Sequence, residues 1–384
     1  MDFTYDDEQE ALRDAVRGLV GKAYNDYEQR RQTVKEDPGF SEKQWARLAE
    51  MGVLGLPFAE SDGGVGAGPV EIGIVCRELG RVLAPEPYLT GVVLAGGLVS
   101  AAGTAEQRAE VLGAVAAGER VLAVAHDEPE GPRWSTTAPG TTATQDGDDW
   151  RLTGTKDPVL HGARADQVVV TATLPDGGTG LFLVDFTADA DAADRTGYPT
   201  YDGGRAARIV LDATPAVLLG DAATDRSATL ATMLDLTRVM AANQALGVMQ
   251  AQLAATTSYL TSRKQFGVTL NTFQALTFRA ADMYVSLELT HSVVDWATMV
   301  IATGDRDRLT EAAARCALQT SRASRHIGQE AIQLHGGIAM TAEYSVGTAT
   351  AHLTVLDHLF GDGDHHLGTL AAGVTDHDTL EALG

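Results

Sequence analysis

Positive charge is scarce in this chain. Twenty-nine Lys and Arg stand against 52 Asp and Glu, a formal net charge of −23 at pH 7. Binding a phosphate backbone or an anionic membrane surface needs clustered Lys and Arg, so nucleic acid and membrane surfaces are excluded as partners. Cysteine is scarcer still. Cys76 and Cys316 fall in separate helical patterns and form no motif, which excludes a disulfide framework and a cysteine zinc site; both read as packed thiols. No apolar run approaches the ~20 residues of a membrane span. The opening "MDFTYDDEQEALRD" is acidic and lacks the apolar core of a secretory signal. A cytoplasmic protein is expected.

Several catalytic signatures are missing as well. There is no GxSxG, no Walker loop and no GxGxxG between a strand and a helix. The glycine-rich "PFAESDGGVGAG" has no strand before it and reads as a connector. His352, His358, His365 and His366 gather near the C-terminus with Asp357, Asp362 and Asp364, but not at a zinc spacing, and no metal is expected.

What is present is ordinary globular material: 384 residues, 44% hydrophobic and 21% charged, enough for two or three domains at a prior of ~150 residues each. Residues 1–120 read as helices. Leu12, Val16, Leu19 and Val20 form a stripe, and "EKQWARLAEMGVLGL" repeats it, with Gly52 as a stop. From 121 to 226 the period becomes two. Short β-rich runs such as "DQVVVTATL" and "GTGLFLVDF" are separated by turn residues, with "DDW" and "PDGG" as hairpin turns. This predicts an antiparallel barrel or sandwich. Residues 227–384 return to helical spacing in three long patterns, expected to pack as a bundle.

Two stretches carry candidate chemistry. "SRKQFGVTLNTFQAL" puts Arg263, Phe266 and Gly267 where a long helix ends, with Gln274 opening the next. The arginine either answers the helix dipole or holds an anionic group carried on a ring system. "QLHGGIAM" ends another helix with Gly336 and Gly337. The pair is either a C-cap alone or a place where a ligand approaches the backbone.

Over nearly its full length the chain resembles the acyl-CoA dehydrogenase family. The opening "DDEQEALRDAVR", the segment "LAEMGVLGLPFAESDGGVG", the "RxxFG…FQ" of Arg263, Phe266, Gly267, Phe273 and Gln274, and "TAEYSVG" match its motifs in order. So does "QxxGG" at Gln333, Gly336 and Gly337, with Ala339 replacing a later glycine. The resemblance implies an α+β fold: N-terminal helices, a central antiparallel β domain and a C-terminal four-helix bundle. It implies FAD as cofactor and α,β-desaturation of an acyl-CoA, with the α proton taken by a base and the β hydrogen leaving as hydride. It also implies that Arg263, Phe266, Gln274, Gln333, Gly336 and Gly337 contact the FAD of a neighbouring subunit.

The departures fall on the other half of the site. The family's "WIT" or "WIS" is here Pro158, Val159 and Leu160, and its "TEPxxGSD" is "HDEPEGPRW". At the "YEG" glutamate stands Gly361, and at the alternative base position of some relatives stands Thr237. Contacts that serve a neighbour are kept, and those that serve the subunit's own flavin are lost. This pattern, with "HLFGDGDHH", resembles a subunit of the heteromeric actinobacterial steroid-type acyl-CoA dehydrogenases. It implies an unlike catalytic subunit in a heterotetramer, a steroid side-chain or other bulky acyl-CoA, and an electron-transfer flavoprotein or similar acceptor. Two other readings stay open: a self-sufficient homomeric enzyme with Asp362 as base, and a non-catalytic acyl-CoA-binding or scaffold protein.

Overall fold

The computed structural model describes residues 4–137, 140–147 and 149–374. The first three residues of the acidic opening, and Asp148 of the first expected turn, lie outside these.

In chain order the helices α1 (Asp7–Tyr24), α2 (Tyr27–Lys35), α3 (Glu42–Glu50) and α4 (Pro69–Arg81) come first. A π-helical stretch, Tyr88–Gly96, runs into α5 (Gly97–Ala102), and α6 (Ala105–Ala116) follows. Seven strands come next: β1 (Leu122–Ala125), β2 (Thr142–Asp146), β3 (Asp149–Leu160), β4 (Gln167–Thr173), β5 (Thr179–Asp185), β6 (Asp194–Pro199) and β7 (Arg205–Leu218). The chain returns to helix in α7 (Ser227–Ser262), meets the short strands β8 (Lys264–Gln265) and β9 (Val268–Thr269), and continues as α8 (Gln274–Ala302), α9 (Arg306–His335), α10 (Ser345–Leu359) and α11 (Gly363–Ala372). The helical, strand, helical order is the one the periodicity predicts.

The described residues gather into two compact units. One holds the chain up to Gln32, Pro69–Ala84 and everything from Arg238 onward; the other holds Thr33–Gly68 and Pro85–Thr237.

The second unit is built on the sheet, which closes on itself through β4, β2, β3, β7, β5 and back to β4. Its interior is filled by alternate residues: Trp150 and Leu152 of β3, Val168 and Val170 of β4, Phe182 and Val184 of β5, Ile209 and Leu211 of β7. Most pairings are antiparallel, but the sheet is mixed. β1 lies parallel to β4 from Leu122↔Gln167 on, and β2 meets β4 in parallel at Thr142↔Thr173. β1 reaches the sheet from the helices and sits beside β4 instead of folding back on β2, so a hairpin is not available to it. The "PDGG" turn joins β4 to β5, with Gly177 and Gly178 at φ 91° and 82°. β2 and β3 also pair antiparallel across the other expected turn.

In the first unit α1 opens with a capping box, Asp6 accepting from Gln9 N and Gln9 accepting from Asp6 N, worth about 1 kcal/mol. It lies along α4, where Arg17 grips the buried Glu78 with two bonds of 2.9 and 2.7 Å. α4 in turn crosses α7 at unusually short range. A Cβ at Gly80 would sit 2.1 Å from Gln244 O, and one at Gly247 would sit 2.0 Å from Arg77 O, so both positions demand glycine. α9 packs against α8, α10 and α11.

Candidate flavin-contact face and the turn at Gly361

α7 stops at Ser262 because the chain turns into a miniature hairpin. Arg263 N still donates to Tyr259 O at 2.8 Å, and β8 and β9 then pair across Phe266 and Gly267. Both turn residues have positive φ, 53° and 82°, as a two-residue hairpin turn requires. Positive φ is costly for phenylalanine, and the turn holds it there. The ring is 91% exposed and meets Phe273 edge-on at 6.1 Å. Arg263 is exposed too, and its guanidinium makes no hydrogen bond or ion pair among the described residues. Gln274 is the first residue of α8 and is exposed.

The second predicted stretch ends α9. Gly336 caps the helix at φ 67°, ψ −147°, and a short 3₁₀ turn, Gly336–Met340, follows. Gln333, Gly336 and Gly337 are exposed, and a Cβ added at either glycine would meet nothing within 4 Å. Gly336 therefore answers to its backbone conformation. Gly337 answers to no neighbour within the chain, which leaves its backbone open to close approach from outside.

A cluster of three rings, which the motifs do not reveal, ties the two stretches together. His335 packs against Tyr259 on α7, with centroids 4.6 Å apart and planes tilted by 32°, and against Tyr344 just before α10, at 5.2 Å and 54°. Tyr259 is one turn before Arg263, and His335 adjoins Gly336. The structure thus brings Arg263, Phe266 and Gln274 into one region of the first unit with Gln333, Gly336 and Gly337. The only signal of the cluster in the sequence is a histidine directly before the paired glycines.

The turn between α10 and α11 is pinned by side chains. Arg238 Nε donates to Phe360 O at 2.7 Å, and His366 Nε2 donates to Gly361 O at 2.9 Å. Burial, with the nearby Arg238 and His365, pushes His366 down to about 4, so the ring is neutral. Asp362 is a helix N-cap, its Oδ1 accepting from His365 N at 2.9 Å. Gly361 is buried with φ at 121°. A Cβ there would lie 2.6 Å from His365 Cδ2 and 2.8 Å from His366 Cε1. The adjoining cavity, lined by Arg238, Asp357 and His366 among others, is small, about 30 Å³. Thr237, at the other base position, is fully buried and donates its hydroxyl to Met233 O within its own helix. Among the described residues no cluster of His, Cys, Asp and Glu could hold a metal ion.

In the second unit, β3 shifts register against β7 between Lys156 and Val159. Pro158 sits in this irregularity, where its missing N–H costs no ladder bond. The shift aims Val159 into the barrel core, fully buried, while Pro158 is exposed. Neither offers a flat aromatic face. The adjoining Lys156 is fully buried, its Nζ donating to Glu128 Oε1 at 2.8 Å and His126 O at 3.0 Å. Burial would raise the Glu128 carboxyl, but Lys156 and Thr141 outweigh it and hold it below the usual carboxylate range. Glu128 also accepts from Gly140 N and Thr141 N, so this residue of the altered "HDEPEGPRW" segment is committed to holding its own loop.

Comparison with known proteins assigns this architecture. The N-terminal domain of acyl-CoA dehydrogenases matches residues 6–119, and their C-terminal domain matches residues 227–375. Acyl-CoA dehydrogenase FadE27 of Mycobacterium tuberculosis is 31% identical over 359 residues, covering 90% of this chain and 91% of that protein. The chain belongs to the acyl-CoA dehydrogenase family. It is an oxidoreductase by membership, and members of the family bind FAD. Among solved structures, a variant of the Tcur3481–Tcur3483 steroid ACAD is 32% identical with a TM-score of 0.85, covering 96% of this chain and 98% of that one. A chain of the ChsE4–ChsE5 complex from Mycobacterium tuberculosis is 26% identical with a TM-score of 0.87, covering 99% and 100%. No helix among the described residues of this acyl-CoA dehydrogenase is long and apolar enough to cross a membrane.

Proposed function

We propose that this chain is the flavin-supporting subunit of a heteromeric, FAD-dependent acyl-CoA dehydrogenase of the cytoplasm. It desaturates a bulky acyl-CoA, such as a steroid side-chain thioester, together with an unlike catalytic subunit. An electron-transfer flavoprotein or similar acceptor receives the electrons. In this reading segments 1–120, 121–226 and 227–384 are the three domains of such a subunit.

The observation that carries the reading is the exposed, unpartnered set at the ends of α7 and α9. An arginine with no counter-ion among the described residues, an almost fully exposed phenylalanine and two glycines facing open space suit a group brought by another chain. Arg263 neutralises the pyrophosphate of the partner's FAD, as a guanidinium can with two parallel bonds. Gly336 and Gly337 let the backbone approach it, Phe266 covers its flank, and the amides of Gln274 and Gln333 donate to it. FAD supplies the hydride acceptor. On α8, Phe278, Val285 and Leu289 are exposed on one stripe at steps of seven and four, apolar surface that a partner subunit would cover. The likeness to chains of two steroid-named or heteromeric assemblies supports the same reading.

The α proton needs a carboxylate within reach, and neither Gly361 nor Thr237 is one. The base is the partner's. Asp362 offers the test, because asparagine caps a helix as well as aspartate does and removes only the charge. In the assembled enzyme Asp362→Asn is expected to leave turnover and flavin content unchanged. A fall in turnover of several orders of magnitude with flavin still bound would make this chain the catalytic one.

A further inference from the structure

His335 is the member of the ring cluster that directly precedes Gly336 and Gly337 in the chain. Its ring is buried, 4% exposed, at the last residue of α9. Nδ1 donates to Ala331 O one turn back at 2.7 Å, which fixes both the tautomer and the rotation of the ring. Burial holds its pKa below the ordinary histidine range, against the pull of the Ala331 and Ala255 carbonyls. Nε2 is left buried with no partner at hydrogen-bond geometry among the described residues.

The two plates it meets come from different segments. Tyr259 belongs to the last turns of α7, and its carbonyl accepts from Arg263 N. Tyr344 precedes α10 and is tied back by Tyr344 N donating to Thr341 O. The ring is therefore a spacer. On one side it sets the distance to the turn that carries Arg263 and Phe266. Through its own backbone it sets where Gly336 and Gly337 begin.

We propose that His335 is a positioning residue for flavin binding: packed against Tyr259 and Tyr344, it fixes the Gly336–Gly337 turn relative to Arg263. This rests on the flavin-supporting role argued above. A pyrophosphate held by both stretches would lose both sets of contacts if their spacing were wrong.

The test uses the assembled enzyme and reads the FAD dissociation constant by flavin absorbance and fluorescence, with thermal unfolding alongside. His335→Leu removes the flat plate and is expected to weaken FAD binding about tenfold, the size of two aromatic contacts. His335→Phe keeps the plate and is expected to restore affinity to within about threefold of the parent. If the leucine variant does not assemble, Tyr344→Leu removes one plate and leaves His335 in place; about threefold weaker binding is expected. Parental affinity in His335→Leu, or in Tyr344→Leu where the former does not assemble, while Arg263→Ala loses flavin, would overturn the inference and leave the flavin-supporting role standing. Equal loss in the leucine and phenylalanine variants would also overturn it, since the ring cluster would then not be the carrier. Parental affinity in both the His335 and the Arg263 variants would remove the flavin-supporting role itself.

Discussion

Arg263→Ala is expected to strip FAD from the assembled enzyme while leaving this chain folded. A charge-assisted contact contributes roughly 1.5–3 kcal/mol, so affinity should fall between about tenfold and a hundredfold or more. Stability should hardly move, because the exposed guanidinium makes no hydrogen bond or ion pair among the described residues. Arg263→Lys should rescue only part of the affinity, since an ammonium keeps the charge but cannot form the bidentate fork. Equilibrium dialysis of the flavin against each variant reads the effect. Full occupancy in the alanine variant would mean that the arginine merely faces the end of its own helix.

Gly361→Glu places a glutamate where the family's base stands, and it is expected to fail. The backbone there has φ at 121°, a conformation that a residue with a Cβ adopts at a cost of about 1–3 kcal/mol. The new Cβ would overlap His365 and His366, which are held by the cap of α11 and by the bond to Gly361 O. Relieving that overlap moves the pinned turn, so a total loss of at least about 2 kcal/mol is expected. Chemical denaturation of the assembled enzyme reads the destabilisation, and turnover per flavin should not rise. A variant as stable as the parent, with a second set of active sites, would show that only the carboxylate had been missing.

The amino-acid sequence makes some of these features legible and hides others. The motifs at Arg263 and Gly336 can be read because both depend on local chain geometry: a helix end, a tight turn and glycines where L side chains do not fit. The helical stripe of α1 is legible because one face meets water. α7 is harder. Many of its positions between Leu230 and Leu260 are buried on more than one side, so its apolar residues do not keep a single stripe and one step of six interrupts the pattern. The parallel placing of β1 and β2 against β4 follows from long-range pairing, which period two does not encode. In the sequence Pro158 marks only a lost aromatic contact. The shift that turns Val159 into the core becomes visible with the register against β7. Asp362 stands in a "GDGD" turn by sequence, and its service as the α11 cap refines that. The ring cluster leaves no local pattern, because Tyr259, His335 and Tyr344 come together only through packing.

The most direct test of the central claim is a flavin count on two preparations. This chain purified by itself, and the same chain co-purified with an unlike acyl-CoA dehydrogenase subunit that keeps its own ring contacts and base, are each assayed for FAD per polypeptide. The account predicts essentially no flavin absorbance in the first. In the second it predicts a heterotetramer carrying one FAD for each pair of unlike chains, half the content of a homomeric enzyme. One FAD per chain in the isolated protein would contradict it.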